Sequence, residues 1–379
     1  MSRMTTPRRA LVVGAGIGGL ATALALGKQG WHVDVVEIKD RNVTVGVGLN
    51  HPANALRALK RLGLFDQVAA AGYTYRGIQR FDAEGTLTER FVPVDPPDVP
   101  FQISMTRADL HDILMGAIER LDVRVRLALT WSDIQDTGEQ VDVTFTDGTR
   151  GTYDLVVGAD GIRSPLRGRL FPEHAPQETG FACWRLAVRR EPEMILSEYW
   201  NVGDAKATVL HLNERTMYLL VVEPGSWSAI PPREEMADLL RAKLEPFGGL
   251  IAYVRDTIGS DSDIHWTALE EVFLPDTWFS GRTVLVGDAA HAVTPHLAQG
   301  AGMAMEDAIV LAEALDGASV EKGLTEFMTR RYERVKYVQD QAHAILVNEM
   351  QKDPVRKAEF SADLGLRQQQ ITAHLSEPA

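Results

Sequence analysis

The chain has 379 residues, of which 45% are hydrophobic and 24% are charged, a composition typical of a globular protein with one large domain or two joined ones. The formal net charge of −13 argues against a nucleic-acid or anionic-membrane partner, because phosphate groups are bound by clustered Lys and Arg. Cys183 is the only cysteine, which excludes an internal disulfide and a zinc site built on several cysteines, so we predict no metal and a reducing, cytoplasmic location.

An apolar stretch near the start of the chain raises the question of a secretory signal or a membrane span. It runs from Leu11 to Leu26 and follows Arg8 and Arg9. Four glycines interrupt it where the apolar core of a signal is continuous, and it is too short for a comfortable membrane span. We therefore predict a soluble protein with no membrane partner.

A glycine-rich turn joins a predicted strand at 9–13 to a predicted helix at 18–29. It reads G-x-G-x-x-G and comprises Gly14, Gly16, Ile17, Gly18 and Gly19. Such glycines allow a tight turn and let a pyrophosphate approach the backbone N–H groups at the helix N-terminus. Glu37 ends the next predicted strand, where an acid binds ribose hydroxyls and disfavours a 2′-phosphate. This unit predicts a bound dinucleotide, FAD or NAD rather than NADP.

The rest of the chain mixes short apolar runs, which predict strands, with longer periodic runs, which predict helices. Strands are predicted at 123–129, 141–146, 153–158 and 283–287, and in an alternating antiparallel set within 182–222. Helices are predicted at 232–247, from 302 to 315, and through the polar region after 323. Asp147-Gly148 predicts a hairpin turn, and the proline-rich stretch 81–101 reads as an excursion at a sheet edge.

Two further motifs follow the glycine turn and extend over most of the chain. The second is Asp154-Leu155-Val156-Val157-Gly158-Ala159-Asp160-Gly161-Ile162-Arg163-Ser164, with Arg167 beyond it. The third runs from Gly281 through Gly287-Asp288-Ala289-Ala290-His291 and Pro295 to Gln299-Gly300-Ala301-Gly302 and Glu306-Asp307-Ala308. In this order the motifs resemble those of the single-component (group A) FAD-dependent aromatic hydroxylases, the p-hydroxybenzoate and salicylate hydroxylase group.

The third motif has a chemical reading that distinguishes FAD from NAD. Asp288 ends a buried strand, where a carboxylate can accept hydrogen bonds from ribityl hydroxyls that NAD does not have. Gly300, Ala301 and Gly302, followed by Met303, open a helix whose N–H groups can face the N1 and C2 carbonyl edge of the flavin. Reduced flavin carries negative charge at that edge, and a helix N-terminus stabilises it.

The resemblance implies further contacts with a non-covalently bound FAD. They are Asp160 at the pyrophosphate, Arg107 along the cofactor, Gly48 and Leu49 of Gly46-Val47-Gly48-Leu49 at the ring, Leu129 near the adenine, and Pro295 near the site of oxygen attack. For Asp160 and Arg107 the alternatives are a strand-end aspartate and a solvated residue in the first turn of a helix. No second glycine turn is present for NADH or NADPH, which the resembling family binds transiently in a groove.

The resemblance also implies an α/β fold of the p-hydroxybenzoate hydroxylase type. It has a Rossmann-like FAD-binding domain, an inserted smaller β-sheet substrate domain and C-terminal helices. We predict the FAD-binding domain at 1–75, 98–175 and 265–322, the substrate domain at 76–97 and 176–264, and the helical segment at 323–379.

The activity implied is that of a monooxygenase using NADH or NADPH and O2 to hydroxylate a small aromatic or heteroaromatic substrate through a C4a-hydroperoxyflavin. The stretch from Pro295 to Gly302 is most similar to pyridine-carboxylate monooxygenases such as 3-hydroxy-2-methylpyridine-5-carboxylate oxygenase. A ring-opening or decarboxylating oxygenase uses the same cofactor and motifs and remains an alternative. A halogenase is disfavoured because its W-x-W-x-I-P signature is absent. From another class, a non-catalytic FAD-binding redox module remains. For the protein itself we predict a monomer or a homodimer.

Candidate substrate and catalytic residues follow from approximate alignment with the pyridine-carboxylate enzymes and from residue chemistry. Arg185 and Lys206 form a candidate carboxylate clamp, and Tyr218 is a candidate hydrogen-bond donor to a ring hydroxyl. His211, on the predicted substrate sheet, is a candidate base. The remaining candidates are His51 and His296 for substrate and Pro295 for catalysis. For each of the histidines a purely structural role is the alternative.

Overall fold

The computed structural model describes residues 7–40, 47–121, 123–190, 195–202, 205–349, 351 and 353–379. The strands are, in chain order, β1 (Arg9–Val13), β2 (His32–Val36), β3 (Gly48–Pro52), β4 (Tyr73–Thr74), β5 (Ile78–Phe81), β6 (Leu87–Phe91), β7 (Gln102–Thr106), β8 (Val123–Arg126), β9 (Trp131–Asp136), β10 (Val141–Phe145), β11 (Arg150–Tyr153), β12 (Leu155–Gly158), β13 (Gln177–Arg189), β14 (Ser197–Val202), β15 (Ala205–His211), β16 (Thr216–Pro224), β17 (His265–Glu271), β18 (Phe279–Ser280) and β19 (Thr283–Leu285).

The helices alternate with these strands and then dominate the last quarter of the chain. They are α1 (Ile17–Lys28), α2 (Ala53–Arg61), α3 (Phe65–Ala71), α4 (Arg107–Ile118), α5 (Pro165–Leu170), α6 (Met236–Leu244), α7 (Gly249–Thr257), α8 (Asp288–His291), α9 (Gly300–Leu315), α10 (Val320–Glu349) and α11 (Pro354–Ser376). None of the helices that the structure describes is both long and apolar enough to cross a membrane.

A six-stranded sheet in the order β18-β19-β12-β1-β2-β8 forms the centre of the cofactor half. Its strands run parallel except for β18, which pairs antiparallel with β19. The apolar runs that form β1, β12 and β19 are buried in the main core, as a parallel sheet covered on both faces requires. The segments that follow β1, β2, β12 and β19 therefore meet at one edge of the sheet, the usual ligand-binding edge of such folds.

A seven-stranded sheet in the order β17-β13-β16-β15-β14-β5-β6 forms the second half. It is antiparallel apart from the β14–β5 pair. One face carries apolar side chains that pack against α6 and α7 in a second core. The other face carries Leu210 and Tyr218, which cluster with Val47 beside the strand β3. The sheet therefore covers the cofactor half with this second face.

The predicted α/β fold is confirmed, and the hairpin at Gly148 joins β10 to β11 as expected. Several element bounds differ from the sequence-based ones by a few residues. The strand predicted at 123–129 ends at Arg126, because Ala128 adopts a left-handed φ of 52°. The helix predicted at 232–247 begins as a 3-10 turn and becomes α6 only at Met236. The strand β17, which follows the predicted domain boundary at 265, pairs with β13 in the seven-stranded sheet. The division of the chain into domains stays a prediction.

Candidate active site

The glycine turn after β1 has the geometry expected of a phosphate-binding loop. Gly14 has a φ of 105°, and a Cβ there would run into the carbonyl of Ala159. Gly19 lies so close to the carbonyl of Gly14 that it has no room for a side chain. A Cβ on Gly16, in contrast, would meet nothing within 4 Å. No described side chain caps the start of α1, so its first N–H groups face the open space beside Gly16.

Glu37 is fixed beside this turn. Its carboxylate accepts hydrogen bonds from the backbone N–H of Ala15 at 2.9 Å and of Lys39 at 3.1 Å. The buried Leu129 lies next to it, because its N–H donates to the Glu37 carbonyl at 2.9 Å. The structure thus brings the predicted ribose acid and the predicted adenine neighbour together at one end of the loop.

A cavity of about 870 Å³ extends from the glycine turn to the seven-stranded sheet. Predicted site residues from the first and third motifs, from β3, from the start of α4 and from the substrate sheet line it: Gly16, Ile17, Gly18, Gly48, Leu49, Arg107, Arg185, Tyr218, Asp288, Pro295, Gly300 and Ala301. Gly46, which the sequence analysis places with Gly48, lies outside the described residues. Gly302 and Met303 are not part of this lining, and both are buried in the first turn of α9.

The segment 287–299 connects β19 to α9 and carries several of these residues. Gly287 has a left-handed φ of 57°, which turns the chain so that Asp288 is exposed toward the cavity. Pro295 lines the same cavity, and Gly300 and Ala301 present the start of α9 to it. No described side chain caps this helix start either, so its N–H groups are available to a ligand.

Asp160 and Arg167 of the second motif support the site from behind the lining. Asp160 accepts a hydrogen bond from the N–H of Leu166 at 3.1 Å, and burial raises the pKa of its carboxyl. The guanidinium of Arg167 donates to the carbonyls of Ile162 and Ala289, which ties the second motif to α8. Gly161, rather than Asp160, lines the cavity, so the predicted pyrophosphate contact of Asp160 stays a prediction.

Arg185 and Tyr218 form the polar part of the cavity wall on the seven-stranded sheet. The guanidinium of Arg185 hydrogen bonds to the Thr267 hydroxyl on the neighbouring strand and interacts with the hydroxyl of Tyr218. No carboxylate among the described residues forms an ion pair with Arg185. Burial raises the pKa of Tyr218, an effect that Arg185 opposes, so the hydroxyl stays protonated at neutral pH.

The other substrate and catalytic candidates lie away from the lining that the described residues form. The strand pleat turns His211 away from its neighbour Leu210, which does line the cavity, and His211 stacks on Tyr73 with ring centroids 5.0 Å apart. Lys206 lies farther along the same strand, 5.0 Å above the ring of Tyr199. His51 is fully buried in the main core, and His296 is also absent from the lining.

A buried network of polar side chains behind the segment 287–299 was not predicted. It joins Asn54 and Gln299 to the adjacent acids Glu306 and Asp307, and these to Arg331 of α10. The third motif already contained the two acids and Gln299, but nothing in the sequence pointed to their partners on α2 and α10. Among the described residues no group of three potential ligands is arranged for a metal ion.

The residues present suit FAD. Open space at Gly16, two uncapped helix starts, the ribose acid Glu37 and the cavity-facing Asp288 supply the groups that a pyrophosphate, a ribose, a flavin ring and a ribityl chain need. Arg107 adds a guanidinium to the same wall.

Comparison with known proteins identifies the same cofactor. A family model described as FAD binding domain matches residues 8–342. A 2-heptyl-3-hydroxy-4(1H)-quinolone synthase of Pseudomonas aeruginosa is 32% identical over 340 residues, 88% of this chain and 87% of that protein. A 3-amino-4-hydroxybenzoate 2-monooxygenase of Streptomyces cremeus is 32% identical over 343 residues, 86% of this chain and 83% of that protein. The tetrameric form of 2-methyl-3-hydroxypyridine-5-carboxylic acid oxygenase superposes with a TM-score of 0.79 at 26% identity, over 93% of this chain and 98% of that one.

Proposed function

The chain belongs to the FAD-binding domain family of FAD-dependent aromatic monooxygenases, and from this premise we propose that it hydroxylates a small aromatic or heteroaromatic ring bearing a carboxylate or an ionised hydroxyl, using NADH or NADPH and O2. FAD is its cofactor, and when bound it supplies the reduction by the nicotinamide nucleotide and the activation of O2. The protein contributes binding, orientation, exclusion of water and control of charge.

The observation that carries this proposal is the guanidinium of Arg185, which lies half-buried in the cavity wall and has no carboxylate partner among the described residues. A partly desolvated cation without an anionic partner favours a ligand that brings one. Arg185 lies on the same cavity as Asp288 and Pro295, so an anionic substrate held by Arg185 would lie between the seven-stranded sheet and the flavin site. A guanidinium binds a carboxylate through two parallel hydrogen bonds and therefore also orients the ring.

Tyr218 supplies a second polar contact with a defined direction. Its hydroxyl is kept neutral by burial and has Arg185 on one side, so it can donate its hydrogen to a ring oxygen in the cavity. A hydrogen bond to a phenolate oxygen would hold the electron-rich form of the substrate in place. Tyr218 would thereby act as a hydrogen-bond donor to the substrate oxygen and not as the base that removes its proton.

Apolar side chains in this part of the wall suit the faces of an aromatic ring. Leu210 and Leu220 of the sheet lie beside Tyr218, Ile264 directly precedes β17, and Trp266 and Leu269 lie on that strand, which also contributes the polar His265, Thr267 and Glu270 to the lining. An apolar wall excludes water from the reacting atoms, which protects the activated oxygen from loss to solvent. Two of the relatives described above are named for ring acids, whereas the third is named for an alkyl quinolone without a carboxylate.

The test is substrate-stimulated oxidation of NADH and NADPH by the purified FAD-loaded protein. The panel contains 3-amino-4-hydroxybenzoate, 2-methyl-3-hydroxypyridine-5-carboxylate, their carboxamides, and 2-heptyl-4-quinolone, and products are analysed after reaction under isotopically labelled O2. We expect stimulation by a ring acid, little by its amide, and one labelled oxygen in the product. A product with an opened ring would show that the enzyme is a ring-opening oxygenase, and a product without the carboxyl group would show that it is a decarboxylating one. Stimulation of NAD(P)H oxidation by the quinolone alone would contradict the proposal of an anionic substrate. FAD binding without stimulation by any compound would indicate a redox module.

A further inference from the structure

Two adjacent acids of α9 each hold one end of the segment 287–299. Asp307 is fully buried, and one of its oxygens accepts hydrogen bonds from the N–H of Gly287 at 2.9 Å and from Nε2 of His291 at 2.6 Å. Gly287 immediately precedes Asp288, and a Cβ on it would lie 2.9 Å from the Cβ of Ala304 in α9. Asp307 thus fixes the start of the segment against the helix that follows it.

Glu306 holds the other end through one intermediary. One oxygen of this buried acid accepts from the side-chain amide of Asn54 at 3.0 Å. Asn54 and Gln299 exchange two amide hydrogen bonds, at 2.9 and 3.0 Å, so the orientation of each is determined by the other. Gln299 is the residue before Gly300, where the uncapped start of α9 faces the cavity.

Arg331 of α10 connects the two acids. Its side chain is fully buried, donating from Nη1 to Glu306 at 2.6 Å and from Nε to Asp307 at 2.8 Å. Arg334, one turn later, donates to Glu306 and also to the carbonyls of His374 and Leu375 in α11. The same network therefore reaches the last helix of the chain.

A buried ion cluster of this kind is weak evidence for stability, since well-packed apolar residues often serve as well or better. The cluster supplies orientation, because each carboxylate oxygen and each amide in it has a directional partner on the segment, on α2 or on α10. The partners of Asp307 and Asn54 include a backbone N–H of the segment and the side chain of Gln299, the two points from which Asp288 and the α9 start are presented.

We propose that Glu306, Asp307 and Arg331 are positioning residues for FAD. Asp307 orients the backbone that presents Asp288 to the ribityl chain, Glu306 acts through Asn54 and Gln299 on the α9 start that faces the flavin ring, and Arg331 holds the two ends at one separation. The proposal concerns affinity for FAD and does not depend on which substrate the protein hydroxylates.

The experiment titrates FAD into apoprotein, following flavin fluorescence, and records the melting temperature of the same apoprotein. The variants are Asp307→Asn and Asn54→Leu, with Glu313→Gln as the matched control. Glu313 also lies on α9 and pairs with Arg330 of α10 at 2.9 Å, but it is on the exposed side of the helix. We expect the Kd for FAD to rise about tenfold or more in each test variant, the scale of a lost charged or buried hydrogen bond, and to stay unchanged in the control.

Two results would overturn the proposal. One is a lowered melting temperature of the apoprotein with an unchanged Kd for FAD, which is the signature of a purely structural cluster. The other is an equal rise in Kd in the Glu313→Gln control.

If Asp307→Asn yields no folded protein, Gln299→Leu tests the same network from the segment side, with the same expected rise in Kd. The double variant Asp307→Asn/Asn54→Leu tests the bridging role of Arg331. Because Arg331 joins the two ends, the combined rise in Kd should be smaller than the product of the single effects. A strictly multiplicative effect would contradict the bridge.

Discussion

The carboxylate of Glu37 accepts a hydrogen bond of 2.9 Å from the backbone N–H of Ala15, which links the end of β2 to the glycine turn after β1. The two strands are adjacent and parallel, with Val13 opposite Val36, so the acid and the turn meet at the same sheet edge. Its other oxygen is held by the N–H of Lys39. The acid is thus oriented before a ribose binds, which reduces the ordering cost of binding.

Replacing this acid tests its assignment to the ribose. We expect Glu37→Ala to raise the Kd for FAD about tenfold, because a charged acceptor to the ribose hydroxyls and the brace on Ala15 are both lost. No preference for a 2′-phosphorylated nucleotide at this site should arise, since no cation is introduced. The measurement is an FAD titration of apoprotein, with the exposed Glu139→Ala as control. An unchanged Kd would tell against the ribose contact.

Asp288→Ala should weaken FAD binding more than Glu37→Ala does. The side chain faces the cavity directly after Gly287, so its loss removes acceptors that ribityl hydroxyls would use and leaves a hole beside the cofactor. The expected fall in FAD affinity is roughly tenfold to a hundredfold. The purified variant should be largely colourless while its circular dichroism spectrum matches that of parent apoprotein. A full complement of yellow FAD in the variant would end the ribityl assignment.

Arg185→Met should raise the KM for a ring acid roughly tenfold to a hundredfold with the FAD content unchanged, because a charge-assisted contact with the carboxylate is lost. Arg189→Met is the matched control: it lies four residues along the same strand and is exposed. The amide analogue of the substrate should lose little on the same substitution. Equal KM values for parent and Arg185→Met would remove Arg185 from the substrate site.

His211→Gln tests whether His211 is the catalytic base, a hypothesis that came from the sequence and that the position of its side chain contradicts. Because His211 stacks on Tyr73 and does not line the cavity, the pH dependence of kcat should be the same in parent and variant. The measurement is kcat with saturating substrate across the pH range of the imidazole, with FAD content checked. Loss of a limb of that pH profile in the variant would restore His211 as the base.

His51 predicts a pH dependence of stability rather than of catalysis. Both of its ring nitrogens are buried without a hydrogen-bond partner among the described residues, and burial lowers its pKa from 6.5 to about 4. Between these two values the unfolded chain binds a proton that the folded chain excludes, so stability is complete above 6.5 and falls as the pH drops toward 4. The loss due to this group is about 2 kcal/mol near pH 5.

The matched variant for this prediction is His51→Leu, which keeps an apolar volume and removes the titration. We expect denaturant unfolding at pH 7.5 and pH 5 to show a clearly smaller loss of stability in the variant than in the parent. The same loss in both proteins would show that other groups dominate the acid sensitivity.

Local patterns in the sequence predicted the cofactor part of this protein well. The turn after β1, the acid after β2 and the segment after β19 each depend on residues within one β-α or β-turn unit, where periodicity and glycine placement determine the backbone. The cofactor and the enzyme family, both taken from these motifs, are confirmed by the family match. The individual contacts assigned to Asp160, Arg107 and the other motif residues stay predictions.

Approximate alignment predicted Arg185 and Tyr218 for the substrate wall, and both line the cavity, but only the tertiary structure determines which other side chains join them. The pleat of β15 directs Leu210 into the cavity and His211 away from it, and only the register of that strand in the sheet determines which of two neighbours faces the flavin side. Arg331 lies 24 residues after Asp307 on another helix, and no local pattern pairs them. Short-range periodicity therefore determined where a cofactor binds, whereas side-chain contacts between segments distant in sequence determined which polar groups surround it, because those contacts depend on how sheets and helices pack together.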